Sequence, residues 1–161
     1  MKPLILITND DGIHSPGLAA AACAAADLAD ILIVAPHTQQ TGMARAFPRT
    51  EDAGIIEEEW IQINGQKVRG YGVHGSPALA VAHGVLELAE RKPDLCISGV
   101  NYGENMGAVL TCSGTLGAAF EAISMAFPPS PYPWRQNLPS SDPMISGRQT
   151  GMRLRGCFIH G

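Results

Sequence analysis

A chain of 161 residues, 45% hydrophobic and 16% charged, has the size and composition of one globular α/β domain and not of a disordered segment. A formal net charge of −4 gives no support to a nucleic-acid groove or a polybasic membrane surface. No apolar stretch is long enough to span a bilayer, and Met1-Lys2-Pro3 leads straight into a strand without a signal segment, so the expected compartment is cytoplasmic.

The first predicted element is Leu4-Ile5-Leu6-Ile7, an apolar run that ends in Thr8-Asn9-Asp10-Asp11-Gly12. Four apolar residues bounded by turn chemistry suit a strand buried on both faces of a parallel sheet. The carboxylates of Asp10 and Asp11 then fall at a strand's C-terminal edge, where open α/β sheets place their ligands. Two adjacent anionic groups repel unless a cation lies between them, and hard oxygen ligands suit Mg²⁺, Mn²⁺ or Ca²⁺. Asp-Asp-Gly is also ordinary turn chemistry, and by itself the dipeptide decides nothing.

Ser15-Pro16 reads as an N-cap followed by a first-turn proline, opening an alanine-rich helix over residues 17–28. Asp30–Pro36 is a second buried strand, which completes a βαβ unit and implies a right-handed crossover. The polar segment 37–46 leaves the end of that strand and so overlooks Asp10 and Asp11. Residues 47–54 carry no strong periodicity, and Glu57-Glu58-Glu59 reads as a solvated charge run. Alternation in Trp60-Ile61-Gln62-Ile63, the turn Asn64-Gly65 and then Lys67-Val68-Arg69-Gly70-Tyr71 predict a β-hairpin. Ser76-Pro77 starts a helix to about Glu90, whose Leu79, Val81, Ala82, Val85, Leu86 and Leu88 form a core-facing stripe. Residues 94–100 read as another buried strand that delivers Asn101.

The loop 101–107 is rich in glycine and asparagine, and Ser113-Gly114-Thr115 caps a helix through Ile123. A glycine-rich approach to a helix N-terminus presents free N–H groups and the positive end of the dipole, which favours phosphate. Asn101 alone also reads as a loop residue tolerant of left-handed backbone, and Ser113-Gly114-Thr115 as a plain cap. Their joint placement on one sheet edge is what points to a site. His37, His74, His83 and His160 share no spacing that builds a zinc site and read as packing residues, as do Trp60, Tyr71 and Met106. Cys23, Cys96, Cys112 and Cys157 lie far apart and read as reduced, packed thiols. No G-x-G-x-x-G follows the first strand, which disfavours a dinucleotide-dependent oxidoreductase.

Five stretches together carry a resemblance: Thr8-Asn9-Asp10-Asp11-Gly12-Ile13-His14-Ser15-Pro16-Gly17; Val34-Ala35-Pro36 with the later Thr41-Gly42; Gly75-Ser76-Pro77; Ser98-Gly99-Val100-Asn101-Tyr102-Gly103-Glu104-Asn105-Met106-Gly107; and Ser113-Gly114-Thr115-Leu116-Gly117-Ala118-Ala119-Phe120-Glu121. Over residues 1–125 the chain resembles the SurE survival-protein family of metal-dependent nucleotidases and acid phosphatases. The resemblance implies a doubly wound, mainly parallel, Rossmann-like α/β fold. It implies one divalent metal ion, Mg²⁺ or Mn²⁺, held by Asp10, Asp11, the Thr41 hydroxyl and the Asn101 amide oxygen. Serine is normal in the family where Thr41 stands here. Asn9, Asn105, Ser113, Gly114 and Thr115 are implied to line the phosphate site, with in-line attack of a metal-activated water on a phosphomonoester. Asp10 and Asp11 are the catalytic candidates for taking the water's proton, with His14 a lesser one. An aspartate and a tyrosine usual in the family are Leu79 and Cys112 here.

From residue 126 the composition changes. Ala126-Phe127-Pro128-Pro129-Ser130-Pro131-Tyr132-Pro133-Trp134 opens a tail without helical or strand periodicity. The family continues there with a strand beginning Gly-Ile-Pro and runs well past this length. The 1–125 domain is therefore expected to be incomplete, C-terminally truncated relative to the family, with an apolar sheet edge left bare. Codons for the proline-rich run can be chosen that, read one base earlier, spell Gly-Ile-Pro-Ser-Ile-Ala-Leu-Ser-Leu. Residues 126–161 are accordingly read as translated out of frame, with a natural proline-rich tail as the alternative.

The expected activity is release of phosphate from nucleoside 5′- or 3′-monophosphates. The alternative is a fragment that binds metal and nucleotide without turnover. Family members associate as dimers or higher assemblies, but contacts made by the missing part do not carry over to this chain.

Overall fold

The computed structural model describes residues 2–101, 107–126 and 157–159. Strand β1 (Leu4–Thr8) leads to helix α1 (Pro16–Ala26), strand β2 (Asp30–Pro36), the hairpin β3 (Ile56–Ile63) and β4 (Gln66–Val73), and helix α2 (Pro77–His83). Strand β5 (Leu95–Ser98), helix α3 (Gly114–Ala126) and strand β6 (Cys157–Ile159) follow. The sheet order is β3-β4-β2-β1-β5-β6, parallel except for the antiparallel β3 on β4.

The side-chain alternation of β1 divides the core. Ile5 and Ile7 join Ile13, Leu18, Ala22 and Ile33 under α1 on one face. Leu6 meets Val34, Val73, Ala80, Val81 and Ala118 under α2 and α3 on the other. Helices on both faces of a mainly parallel sheet are the expected doubly wound architecture. Both serine–proline caps form: the Ser15 hydroxyl accepts from the Leu18 amide at 3.2 Å, and that of Ser76 from the Leu79 amide at 3.1 Å.

The hairpin turns at Asn64-Gly65, where both residues take positive φ as a tight two-residue turn requires. Its first strand begins earlier than the alternation indicated, so the Glu57-Glu58-Glu59 run is strand backbone paired with Tyr71 and its neighbours. The helix expected to reach Glu90 is regular only to His83 and widens into a π-helical turn, Gly84–Leu88, closed by the Ala89 amide on the Gly84 carbonyl at 3.0 Å. Gly84 lies against Leu6 and Val34, where an added Cβ would stand 3.0 and 3.3 Å from their methyl carbons. The widened turn rotates the register, and Leu86, placed in the core stripe by sequence, is 72% exposed.

The proline-rich run from Phe127 and the out-of-frame reading lie outside the described residues, save for Cys157–Ile159. That short strand pairs in parallel with Cys96–Ser98, so the sheet edge expected to be bare is covered there. Cys23 and Cys112 carry free thiols. Among the described residues no helix is long and apolar enough to cross a membrane.

Leu6 is fully buried between β1 and the helices of one layer. Leu6→Ala is expected to lower the unfolding free energy by about 2–5 kcal/mol in urea titration.

Candidate functional site

Parallel register sets the ends of β1 and β5 side by side, with Thr8 opposite Ser98 and the Gly99 amide donating to the Thr8 carbonyl at 2.8 Å. Asp10 and Asn101 therefore leave the same edge of the sheet. Asn9 is buried and shapes the turn: its amide oxygen accepts from the Gly12 amide at 3.2 Å, and its Nδ2 donates to the Ser15 hydroxyl. The residue implied to line the phosphate site is here also a brace for the first helix.

Asp10 is only 2% exposed. Helix α3 comes down on it: the Thr115 hydroxyl donates to Asp10 Oδ1 at 3.1 Å, and a Cβ on Gly114 would stand 2.7 Å from the Asp10 Cβ. Only glycine permits that approach. Ser113 caps α3, its hydroxyl accepting from the Leu116 amide at 3.2 Å. Burial raises the Asp10 carboxyl above the ordinary carboxylate range, the Thr115 hydroxyl partly offsets this, and the charge of Asp11 adds to the rise. A carboxylate held this way in a dry, like-charged setting is a group that a divalent cation would relieve, and the donor set of hard oxygens fits such an ion.

Asp11 is half-buried, and Gln39 links it to the next strand's loop. Gln39 Nε2 lies 3.5 Å from Asp11 Oδ1 and 3.0 Å from the Thr41 hydroxyl. Gln39 is a residue that sequence reasoning passed over, since an amide in a polar loop carries no signal of its own. The Gln40 amide donates to the Asp10 carbonyl at 2.7 Å and the Ala44 amide to the Cys112 carbonyl at 3.1 Å, so the segment after β2 crosses the site as expected. Arg45 fastens it to α3, with Nε 2.6 Å from Oε2 of the buried Glu121 and Nη2 donating to the Ser124 hydroxyl at 2.6 Å. Asp11, Gly12, His14, Ser15, Pro16, His37 and Gln39 line an open cleft of about 310 Å³. Asn105 lies outside the described residues.

The family model that matches residues 5–130 is described as Survival protein SurE. The chain belongs to the SurE family. A relative from Methanopyrus kandleri named 5′-nucleotidase SurE is 44% identical over 124 residues, covering 77% of this chain and 46% of the relative. One of the same name from Methanothermobacter thermautotrophicus is 46% identical over 125 residues, with the same coverage of 77% and 46%. The crystal structure of the SurE protein from Aquifex aeolicus has a TM-score of 0.60 at 34% identity, covering 78% of this chain and 48% of that one. This SurE chain thus spans about half the length of the relatives it matches.

Histidines and glutamates at the ends of β2, β3 and β4 come together, which their spacing in sequence does not show. His37 and His74 stack with ring centroids 4.6 Å apart and planes at 13°. His74 Nε2 lies 2.6 Å from Glu57 Oε1 and Nδ1 lies 3.3 Å from Asp52 Oδ2. Glu59, read as solvated, turns toward His14 Nε2 at 3.3 Å and His37 Nδ1 at 3.9 Å. His83 pairs with Glu87 one turn on, a local packing role as expected, and His160 lies outside the described residues.

The Glu57 hydrogen bond, followed by that to Asp52, raises the His74 pKa above its ordinary value, while the carboxyls of Glu57 and Asp52 are lowered. A histidine whose folded pKa exceeds its unfolded one contributes stability below the unfolded value, and that contribution is lost as pH rises through the folded one. With metals removed by EDTA, His74→Gln is expected to be less stable than the parent at about pH 6, and the gap to close by about pH 9. Urea titrations at the two pH values measure it.

Proposed function

We propose that this chain hydrolyses phosphomonoesters of the nucleoside 5′-monophosphate class with the aid of one divalent metal ion. The observation that carries the reading is the buried Asp10 beside Asp11, pressed by the N-terminus of α3 through Gly114 and Thr115. Relatives named 5′-nucleotidase support the substrate class.

In this reading Asp10, Asp11, Thr41 and Asn101 would hold the ion, Mg²⁺ or Mn²⁺. When bound, such an ion supplies Lewis-acid polarisation of a phosphoryl oxygen and acidifies a coordinated water. The chain's own groups do the rest. The N-terminal turn of α3, capped by Ser113, turns free N–H groups and the positive dipole end toward a phosphate oxyanion. By the family resemblance Asn9, Ser113, Gly114 and Thr115 would line that phosphate, and Asn105, outside the described residues, would join them. Gln39 holds the Thr41 hydroxyl toward Asp11. The proton of the attacking water passes to a carboxylate, Asp11 being the more exposed of the pair and the better placed to pass it on to solvent.

Phosphate release from 5′- and 3′-nucleoside monophosphates by the purified chain with Mn²⁺ or Mg²⁺ tests the proposal. Release with 5′-substrates is expected, and both EDTA and Asp11→Asn should abolish it. Gly114→Ala should lower kcat at least about tenfold, because a new Cβ drives the helix end away from Asp10. A folded chain that binds Mn²⁺ and nucleotide calorimetrically yet releases no phosphate would select the binding reading. The short span of the chain relative to its relatives keeps that outcome in view.

A further inference from the structure

A second group of potential ligands lies at the C-terminal ends of the neighbouring strands. β2 and β4 are parallel with Pro36 opposite Val73, so the residues that follow them, His37 and His74, emerge together. The His37 amide donates to the Val73 carbonyl at 2.8 Å, which holds the two in register. β3 runs antiparallel on β4 with Glu57 opposite Gly72. A Cβ on Gly72 would lie 3.0 Å from His37 Nδ1, so the glycine leaves the space that the imidazole occupies. One potential ligand atom from each of His37, Glu57 and His74 falls within 4.8 Å of the others.

We infer that His37, Glu57 and His74 form a second metal site, selective for a borderline transition ion such as Zn²⁺. Two imidazoles and one carboxylate are a donor set that zinc accepts, unlike the all-oxygen set at Asp10 and Asp11. Ligand atoms on a tetrahedral zinc sit roughly 3.4 Å apart at bond lengths of about 2.1 Å, so Glu57 and His74, whose ligand atoms lie 2.6 Å apart, would part by about an ångström on binding while His37 draws in. Two further observations point the same way. His37 Nδ1 is shielded from solvent and has no hydrogen-bond partner among the described residues, a lone pair or proton left without use. Asp52 engages His74 Nδ1 while Nε2 faces Glu57, the carboxylate–histidine arrangement that orients a metal-bound imidazole from outside.

Three protein ligands leave a fourth position to solvent, and none of the three side chains is sealed from it: His37 is 28% exposed and His74 24%. A bound ion would tie β2's end to the hairpin and anchor the start of the segment that carries Gln39 and Thr41. The inference does not rest on the proposed hydrolysis.

Calorimetric titration of the EDTA-stripped full chain with Zn²⁺ tests it, together with the visible absorption of Co²⁺ in the same chain. One Zn²⁺ equivalent is expected to persist in Asp11→Asn and to weaken at least about tenfold in His37→Gln, His74→Gln and Glu57→Gln. Co²⁺ should give the intense absorption of a four-coordinate nitrogen–oxygen site in Asp11→Asn and lose it in the histidine variants. Far-UV circular dichroism and a thermal melt show which variants fold. Glu57 is a partly exposed strand residue whose change to glutamine leaves the backbone pairing intact. Zinc binding by folded Glu57→Gln and His74→Gln that equals the parent's, no Zn²⁺ bound by the parent, or loss of the zinc equivalent in Asp11→Asn overturns the inference. Phosphate release failing while the zinc equivalent persists would reject the hydrolase reading alone.

Discussion

The structure depends on one electrostatic conflict, the burial of the Asp10 carboxylate immediately after a strand that is buried on both faces. β1 cannot be moved outward to relieve it, since Ile5 and Ile7 are locked under α1 and Leu6 under the other layer. Strand burial therefore fixes the carboxylate's position, and the surroundings supply what compensation they can. The Thr115 hydroxyl and the α3 dipole favour the charge, while desolvation and Asp11 oppose it. Opposition wins, so the Asp10 carboxyl holds a proton more readily than an ordinary carboxyl does.

Around that centre the chain is drawn in by contacts that leave no slack. Gly114 touches Asp10 with no intervening side chain, and the segment after β2 is held by backbone to Asp10 and Cys112 and by charge to Glu121. Arg45 is half exposed while Glu121 is buried, so the pair is worth more than a surface bridge chiefly through the cost of leaving Glu121 without its partner. The loop that carries Thr41 owes its position to α3 as much as to its own strand.

Much of this could be read from residues alone, wherever local chemistry and tertiary demand agree. β1, β2 and the caps at Ser15 and Ser76 follow from apolar runs and from serine–proline pairs. The turn at Asn64-Gly65 follows from the backbone that it requires. Where the signal was tertiary, it was missed. Glu57 and Glu59 look solvated until β4 pairs with them. Leu86 belongs to a helical stripe only if the helix keeps its period, and the helix widens at Gly84, which packs on Leu6 and Val34. His37 and His74 share no spacing in sequence and meet because two strands run parallel in register. The Asp10 and Asp11 edge was legible because both groups sit on one strand end, and Gln39 was not because its meaning lies in what it reaches.

The hydrogen bond from Thr115 to Asp10 joins residues 105 positions apart in a chain of 161. Nearly two-thirds of the polypeptide is thus enclosed in the loop that this one contact closes, with β2, the hairpin, α2 and β5 all inside it. The two halves lie at opposite ends of that loop, so the contact forms only once the intervening chain has closed on itself. The contact therefore reports on the cooperativity of the whole sheet, and a lesion anywhere within the enclosed loop reaches Asp10 through topology rather than proximity.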